Sequence, residues 1–166
     1  MDATTLKAQI LPLLQRNARM PEQEIADRLQ TTPETVAKLI QEMEKDKTIL
    51  GYHTFVNEAK TGQAGRVRAI IDVEVQPERD SGFDRVARAI GMFPEVQTVN
   101  LVSGQYDLRV EVVGDTMQDV AFFVASKLSS LEGVRATATH FLLKKFKESG
   151  FILQEEEKHE RLKVVP

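Results

Sequence analysis

Hydrophobic residues recur with helical spacing through the first part of the chain. Pro21 and Pro33 stand where the first turn of a helix tolerates proline, and Thr32 suits the N-cap position before Pro33. Three short helices, with a tight turn between the last two, predict a helix-turn-helix. The three apolar stripes are Leu6, Ile10, Leu13 and Leu14, then Ile25, Ala26 and Leu29, then Val36, Leu39, Ile40 and Met43.

The chain then loses its helical periodicity. Residues 49–56 have an extended pattern that suits a wing or an exit strand. Residues 57–65 (NEAKTGQAG) are polar, carry two glycines and show no periodicity, which is typical of a linker. We therefore predict a winged helix-turn-helix domain over residues 1–56 and a linker over 57–65.

After this linker the apolar residues alternate. Between 67 and 75 the odd positions are apolar and the even ones include Arg68, Asp72 and Glu74, which predicts a strand with one buried face. The order of elements is β-α-β-β-α-β, the ferredoxin-like arrangement, so the predicted class is α+β with an antiparallel sheet over residues 66–149. The predicted elements are a strand at 67–75, a helix at 83–90, strands at 96–102 and 106–113, a helix from the N-cap Thr116 to a stop at Gly133, and a strand at 134–143.

Two expectations follow from this arrangement. Because both helices cover one side of the sheet, the other side should expose apolar residues and be covered in a homodimer. Residues 150–166 form a C-terminal tail with two apolar patches around the run QEEEKHER. A docked hairpin and a partly ordered tail both fit that pattern.

Composition excludes several classes of protein. The 166 residues are 42% hydrophobic and include no cysteine, so disulfides, thiolate zinc sites and thiol nucleophiles are absent. No apolar run approaches the roughly 18 residues of a membrane span, and the N-terminus lacks a signal-peptide pattern, so we expect a cytoplasmic protein with no membrane partner. The net charge is −3, so an interaction with nucleic acid must be argued from pattern rather than from total charge.

The sequence contains no recognisable catalytic or metal-binding pattern. His53, His140 and His159 have no metal-ligand spacing, and Ser103 lacks the elbow pattern of a hydrolase nucleophile. No glycine-rich phosphate loop occurs in the sequence. We predict no catalytic residue, no metal and no cofactor, and therefore a protein that is not an enzyme.

The outward face of the third helix is the candidate surface for double-stranded DNA. Short polar and amide side chains can contact base edges, and lysine can contact guanine or phosphate. A solvated helix face is the alternative interpretation. The candidate DNA-binding residues are Thr32, Glu34, Thr35, Lys38, Gln41, Lys45 and Arg28.

The connection between the two middle strands is the candidate site for a small-molecule effector. Gly104 permits close backbone approach, Asp107 can hold an ammonium group, and backbone amides can hold a carboxylate. Thr137 and Thr139 point to one face of the last strand and can add hydroxyl contacts. The alternative is a hairpin turn in which Asp107 caps backbone amides. The candidate effector-binding residues are Gly104, Gln105, Tyr106, Asp107, Thr137 and Thr139.

Three short motifs resemble those of the Lrp/AsnC (feast/famine) transcription regulators. Residues 49–52 (ILGY) are similar to the family's I-x-G-Y after the recognition helix, and residues 103–108 (SGQYDL) are similar to its G-x-Y-D. Residues 133–139 (GVRATAT) are similar to its G-V-x-x-T-x-T. The chain departs from the family at Gln30, where the turn usually carries glycine, and in its third helix, which has acids where the family is rich in arginine.

The resemblance implies a sequence-specific DNA-binding transcription regulator. Its second domain would oligomerise, as a homodimer or a tetramer of dimers, and would bind an amino acid or a similar effector. The alternative is a metabolite-sensing oligomer with a degenerate helix-turn-helix that does not bind DNA. Tetrapyrrole decarboxylases share the two-domain layout, but the sequence has no cluster of His and Arg to hold such a substrate.

Overall fold

The computed structural model describes residues 2–56, 65–77 and 82–153. The chain divides into two compact units, Met1–Val56 and Asn57–Pro166. Apart from Gly65, the predicted linker at 57–65 lies outside the described residues. None of the helices in the described ranges is long and apolar enough to cross a membrane.

The first unit contains the three predicted helices. They are α1 (Ala3–Arg16), α2 (Glu22–Leu29) and α3 (Pro33–Lys45). Their apolar stripes meet in one core, in which Ile10, Ile25 and Val36 have no exposed surface. Helices this short are marginal alone in water, so packing of the three stripes holds the unit together.

A tight turn joins α2 to α3. Gln30 adopts the left-handed conformation, with φ 53° and ψ 49°, and its backbone N–H donates to the carbonyl of Ala26. A residue with a Cβ pays about 1–2 kcal/mol for this conformation, which glycine adopts freely. The turn therefore keeps the left-handed geometry of a helix-turn-helix although glutamine stands where glycine is favoured.

Residues 50–56, here called the arm, follow α3 without helix or strand. The hydroxyl of Tyr52 donates a hydrogen bond of 2.8 Å to Glu44 of α3. Residues 2–56 include no strand that could pair with the arm, so the predicted wing is not formed within them. A side-chain contact with α3, rather than a β ladder, holds this segment.

The second unit has the predicted β-α-β-β-α-β order. Its strands are β1 (Val67–Val75), β2 (Val96–Leu101), β3 (Leu108–Gly114) and β4 (Val134–Phe141). They form an antiparallel sheet of order β2-β3-β1-β4, so β1 lies in the middle and pairs with both β3 and β4. The prediction of an α+β, ferredoxin-like second domain is confirmed.

Helices α4 (Asp84–Gly91) and α5 (Met117–Phe123) pack on one side of this sheet, called the covered face. The odd positions of β1 supply its centre, and Ile71 and Val73 are fully buried. The other side, called the open face, is more polar than predicted. It carries cross-strand ion pairs between Arg68 and Glu111 and between Arg109 and Asp72, because both members of each pair lie on that side.

Helix α5 begins with a capping box between Thr116 and Asp119. It continues as a π-helical turn over Val124–Leu128, in which the N–H of Ser129 donates to the carbonyl of Val124 at 2.9 Å. Gly133, with φ 95°, then leads into β4. The predicted cap at Thr116 is confirmed, but the predicted stop at Gly133 is wrong: the helical segment ends at Leu128, with Ser129 as its C-cap. The π-helical turn is a feature that sequence periodicity did not indicate.

A small hairpin follows the ferredoxin-like fold. It pairs β5 (Lys147–Glu148) with β6 (Phe151–Ile152). The predicted boundary between the domain at 66–149 and the tail at 150–166 falls inside the turn of this hairpin. The last part of the predicted tail, 154–166, lies outside the described residues.

Candidate functional site

Two places in the molecule carry the chemistry that the sequence indicates, one in each unit. The first is the exposed side of α3. Thr32 caps this helix by accepting a hydrogen bond of 3.3 Å from the N–H of Thr35, and Pro33 occupies the first turn. Within this first turn Glu34 is exposed, whereas Val36 is fully buried.

Opposite the buried stripe of α3 lies a polar one. Glu34, Lys38, Gln41 and Lys45 follow one another at spacings of four, three and four, and all four side chains are exposed. This is the face opposite Val36, which is fully buried. Four of the seven candidate DNA-binding residues therefore share one accessible helix face.

The other three candidates are engaged locally. The hydroxyls of Thr32 and Thr35 lie 3.1 Å apart and are hydrogen-bonded to each other. Arg28, in the last turn of α2, forms an ion pair of 2.6 Å with Glu24 of the same helix. A phosphate contact by Arg28 would therefore have to compete with Glu24.

Acidic residues on α3 have distinct partners. The backbone N–H of Glu34 and the hydroxyl of Thr32 hold the pKa of Glu34 below its usual range, so Glu34 is ionised at neutral pH. Glu42 pairs with Lys7 of α1 at 3.0 Å, and Glu44 accepts from Tyr52 of the arm. Glu42 and Glu44 thus brace α3 against its neighbours. These contacts give Glu42 and Glu44 a structural role, whereas in the sequence alone their negative charge only argues against DNA binding.

The second place is a cavity of about 430 Å³ beside the β2–β3 connection in the second unit. Gly104 has φ 140°, in the region that favours glycine, which turns the connection around the cavity. Gly104, Gln105 and Tyr106, three of the six candidate effector residues, line it. Its complete lining is Asp72, Val102, Ser103, Gly104, Gln105, Tyr106, Arg109, Ala138 and His140.

Charged side chains from three strands meet at this cavity. The guanidinium of Arg109 donates to both carboxylate oxygens of Asp72, at 2.9 Å and 3.4 Å. His140 Nε2 lies 3.4 Å from the same carboxylate. Asp72 is only 7% exposed, and the hydrogen bond from Arg109 holds its pKa below the usual range. The buried carboxylate therefore stays ionised and orients two cationic or polar groups whose other surfaces are exposed.

Sequence reasoning missed Asp72, Arg109 and His140. They come from β1, β3 and β4, and only the strand register shows that they share the open face: Asp72 lies opposite both Arg109 and Ala138, and His140 lies opposite Ile70. One signal was available. Asp72 is a carboxylate between two apolar residues of β1, Ile71 and Val73, and a carboxylate that is buried in a sheet requires a partner on a neighbouring strand.

Asp107 is placed differently from the rest of its motif. Its carboxylate accepts a hydrogen bond of 2.8 Å from the N–H of Val75, and its own N–H donates to the carbonyl of Val73. Its carbonyl accepts from Val102, so one residue ties the end of β1 to the β2–β3 connection. These contacts favour the cap that we considered as the alternative.

The two threonines lie on the covered face. Thr137 is opposite Val73 and Thr139 is opposite Ile71, and directly paired residues of a sheet share a face. The Thr137 hydroxyl is 3.5 Å from that of Ser129, after α5. The structure therefore does not bring Thr137 and Thr139 to the cavity at Gly104.

Both places fall inside regions that match known domains. The sequence model of the AsnC-type helix-turn-helix domain matches residues 6–44, and that of the Lrp/AsnC ligand binding domain matches residues 68–152. The chain belongs to the Lrp/AsnC family. It is thus an Lrp/AsnC-type transcriptional regulator with a helix-turn-helix and a ligand-binding domain. The family consists of transcription regulators, which confirms the prediction of a regulator rather than an enzyme.

Individual Lrp/AsnC relatives agree in sequence and fold. The chain is similar to the uncharacterized HTH-type transcriptional regulator YugG of Bacillus subtilis, 40% identical over 166 residues and covering 100% of both chains. It is 24% identical to the leucine-responsive regulatory protein of Haemophilus influenzae over 153 residues, 92% of this chain and 90% of the relative. The Neisseria meningitidis transcriptional regulator NMB0573, solved as a complex with L-Met, has the same fold with a TM-score of 0.65, 24% identity, and coverage of 89% of this chain and 93% of that chain.

Proposed function

We propose that this regulator binds duplex DNA through the exposed face of α3 and binds an amino acid, or a similar small effector, in the cavity at Gly104. The observation that carries the effector part is the Asp72–Arg109–His140 cluster at a concave site of about 430 Å³. A volume of this size is within the range of small-molecule sites, about 300–1,000 Å³.

For DNA, the proposal assigns different tasks along α3. Lys38 and Lys45 supply positive charge for phosphate or guanine, and Gln41 supplies an amide for a base edge. Glu34 can accept from the amino group of cytosine, which suits a carboxylate that stays ionised. The partners of Glu42 and Glu44 support the proposal because they place these two acids in contacts with α1 and the arm.

For the effector, Arg109 is the expected carboxylate partner. Its side chain is 53% exposed although it is anchored to Asp72, so guanidinium donors remain available to a ligand in the cavity. The L-Met complex of the Neisseria relative supports an amino acid as the chemical class. In this proposal Asp107 positions the β2–β3 connection, and Gly104 allows the ligand to approach the backbone.

We further propose a homodimer formed through the open face, with a tetramer of dimers as a larger assembly. A second copy would cover the half-buried Ile70, which lies between Glu111 and His140 at the centre of that face. Ile70→Asp should shift the mass of the full-length protein toward the monomer in light scattering. Met92→Asp, at a residue that is 82% exposed, is the matched control and should leave the mass unchanged.

One experiment tests the DNA and effector parts together. Full-length protein is used to select bound fragments from sheared genomic DNA, in parallel reactions with each of the twenty amino acids. We expect a reproducible set of enriched fragments whose enrichment changes with one amino acid or a few similar ones. Enrichment without any amino-acid effect would reject the effector proposal, and no enrichment would favour the metabolite-sensing oligomer with a degenerate helix-turn-helix.

A further inference from the structure

The cavity at Gly104 offers accessible hydrogen-bond donors to an anion. An arginine side chain has five N–H donors, and Arg109 uses one at Nε and one at Nη2 to bind Asp72. Because its side chain lines the cavity and is 53% exposed, its other donors can be reached by a ligand. The side chain of His140 also lines the cavity and is 62% exposed. Two strands, β3 and β4, therefore each supply a donor for a ligand carboxylate.

The carboxylate of Asp72 is occupied by contacts within the protein. Asp72 is the one acid in the lining of the cavity, as far as the structure describes the chain, and it is only 7% exposed. Its Oδ1 accepts from Arg109 Nε at 2.9 Å. Its Oδ2 lies 3.4 Å from Arg109 Nη2 and 3.4 Å from His140 Nε2. Both oxygens are thus engaged, and little of this carboxylate can be reached from the cavity.

Asp107 is the acid that the sequence offers as a partner for an ammonium group. Its carboxylate accepts a hydrogen bond of 2.8 Å from the N–H of Val75, at the end of β1. Its backbone is bonded to Val73 and Val102. The described lining of the cavity does not include Asp107. Its carboxylate is therefore used to connect strands, and it is not presented to a ligand in the cavity.

Neutral oxygens are what the described lining leaves for an ammonium group. They belong to the side chains of Ser103, Gln105 and Tyr106 and to backbone carbonyls. An ammonium group is strongly hydrated, and burying a charge is costly unless the charge is paired. Neutral oxygens can replace the hydrogen bonds of water, but they do not pair the charge. The α-ammonium group of an amino acid should therefore add little to its affinity for the cavity.

We propose that this cavity recognises the carboxylate and the side chain of its ligand but not the α-amino group, so that it binds 2-oxo acids as well as the corresponding amino acids. This inference rests on the effector part of the proposed function and names the class of its ligands. The ligand carboxylate binds Arg109 and His140, and the ligand side chain contacts the half-buried Val102 and Ala138. The regulator then responds to a carbon skeleton whether or not it carries an amino group.

The test compares matched ligands by calorimetric titration of the full-length protein. Each set contains an amino acid (L-alanine, L-leucine, L-methionine or L-phenylalanine), its 2-oxo acid, and the amine that lacks the carboxylate. In at least one set the 2-oxo acid should bind no more than about threefold more weakly than the amino acid, and the amine at least about tenfold more weakly than both. A larger preference for the amino acid in every set that binds would overturn the inference and leave the effector proposal intact.

Two further outcomes separate the inference from the proposed function. If the 2-oxo acids bind and the amino acids do not, the inference stands and the amino acid is rejected as the effector. If no member of any set binds, the inference is overturned. The selection of genomic fragments with the twenty amino acids then decides separately whether the effector proposal stands.

Variants locate the binding and test the amino group directly. Arg109→Met should weaken the amino acid and its 2-oxo acid alike, by about tenfold or more, because both lose the same carboxylate contact. Asp107→Asn keeps a side-chain oxygen for the Val75 N–H but removes the negative charge, and it should leave the ratio of the two affinities unchanged. A loss confined to the amino acid in Asp107→Asn would show that Asp107 pairs the ammonium group, and would overturn the inference. Arg135→Met, at an exposed partner of Glu74 outside the cavity, is the matched control.

Discussion

The exposed face of α3 and the cavity at Gly104 are built in different ways. The α3 face comes from one helix, in which each residue is fixed by its distance in sequence from the next. The cavity combines a glycine turn with side chains from β1, β3 and β4. Its charged partners are held in a network around the nearly buried Asp72, whereas the exposed residues of α3 share no common anchor. A substitution on the exposed face of α3 should therefore change only the contacts of that residue. A substitution in the cavity should also disturb the side chains of the neighbouring strands.

The largest effect is expected from Lys38→Glu. Reversing this charge at the centre of the proposed DNA face should weaken specific binding on the order of 100-fold and flatten the salt dependence by about one unit. Fluorescence anisotropy with a selected fragment at several salt concentrations measures both. Lys144→Glu in the second unit is the control. Unchanged affinity and slope in Lys38→Glu would show that α3 is not the DNA-binding helix.

Arg109→Met tests the cavity in the same way. Losing a charge-assisted hydrogen bond to the effector costs about 1.5–3 kcal/mol, a tenfold to hundredfold loss of affinity. Calorimetric titration with the selected amino acid measures this loss, and Arg109→Lys should restore part of it. Arg135→Met, at an exposed partner of Glu74 outside the cavity, should bind as the parent does. An equal loss of affinity in Arg109→Met and Arg135→Met would contradict a role for Arg109 in effector binding.

The sequence alone could predict the α3 face but not the charged residues of the cavity. The exposed positions of α3 follow from helical periodicity, so Lys38 and Gln41 could be placed on one face from the sequence alone. The sequence shows alternation within each strand, but it does not show which strands are neighbours or in which register. For this reason it missed Arg109, and it assigned Thr137 to the effector site although Thr137 lies on the covered face.

Asp107→Ala separates positioning from binding. The variant loses the hydrogen bond to the Val75 N–H, which should lower the free energy of unfolding of the second unit by about 1–2 kcal/mol. Effector affinity should change by less than about threefold if Asp107 only holds the connection. Calorimetry gives melting and affinity on one sample. A large loss of affinity without loss of stability would restore Asp107 as a direct ligand contact.

The Asp72 carboxylate should make the stability of the second unit depend on pH in the acid range. The hydrogen bond from Arg109 lowers the pKa of Asp72 in the folded state. The ionised carboxylate therefore contributes its full stabilisation of the fold above the pKa of an unfolded aspartate, about 3.9. This contribution is lost as the pH falls through the lower pKa of the folded state. Asp72→Asn should remove about 1 kcal/mol at neutral pH and less at the acid end. Denaturant unfolding between neutral pH and acid measures the difference. Asp115→Asn, at a side chain that is 86% exposed, is the control for the removal of one carboxylate from the surface.

The smallest effect concerns the turn before α3. Gln30→Gly removes the left-handed strain at φ 53° and should raise the stability of the first unit by up to about 1 kcal/mol. Gln41→Gly, on the exposed face of α3, should lower it by about the same amount because glycine disfavours a helix interior. Thermal melting of the two variants gives opposite shifts if Gln30 is strained. A lower melting temperature in both would mean that its side chain offsets the strain.

The central place of β1 has a consequence for the order in which the chain folds. Its partner Arg109 lies 37 residues downstream of Asp72, and Ala138 on the other flank is later still. The three helices of the first unit, in contrast, complete their core within 56 residues of largely local contacts. Local contacts form fast, whereas pairing of distant strands must first close long loops. During synthesis the helix-turn-helix is therefore complete while β1 still waits for β4, the last strand of its sheet, to emerge from the ribosome.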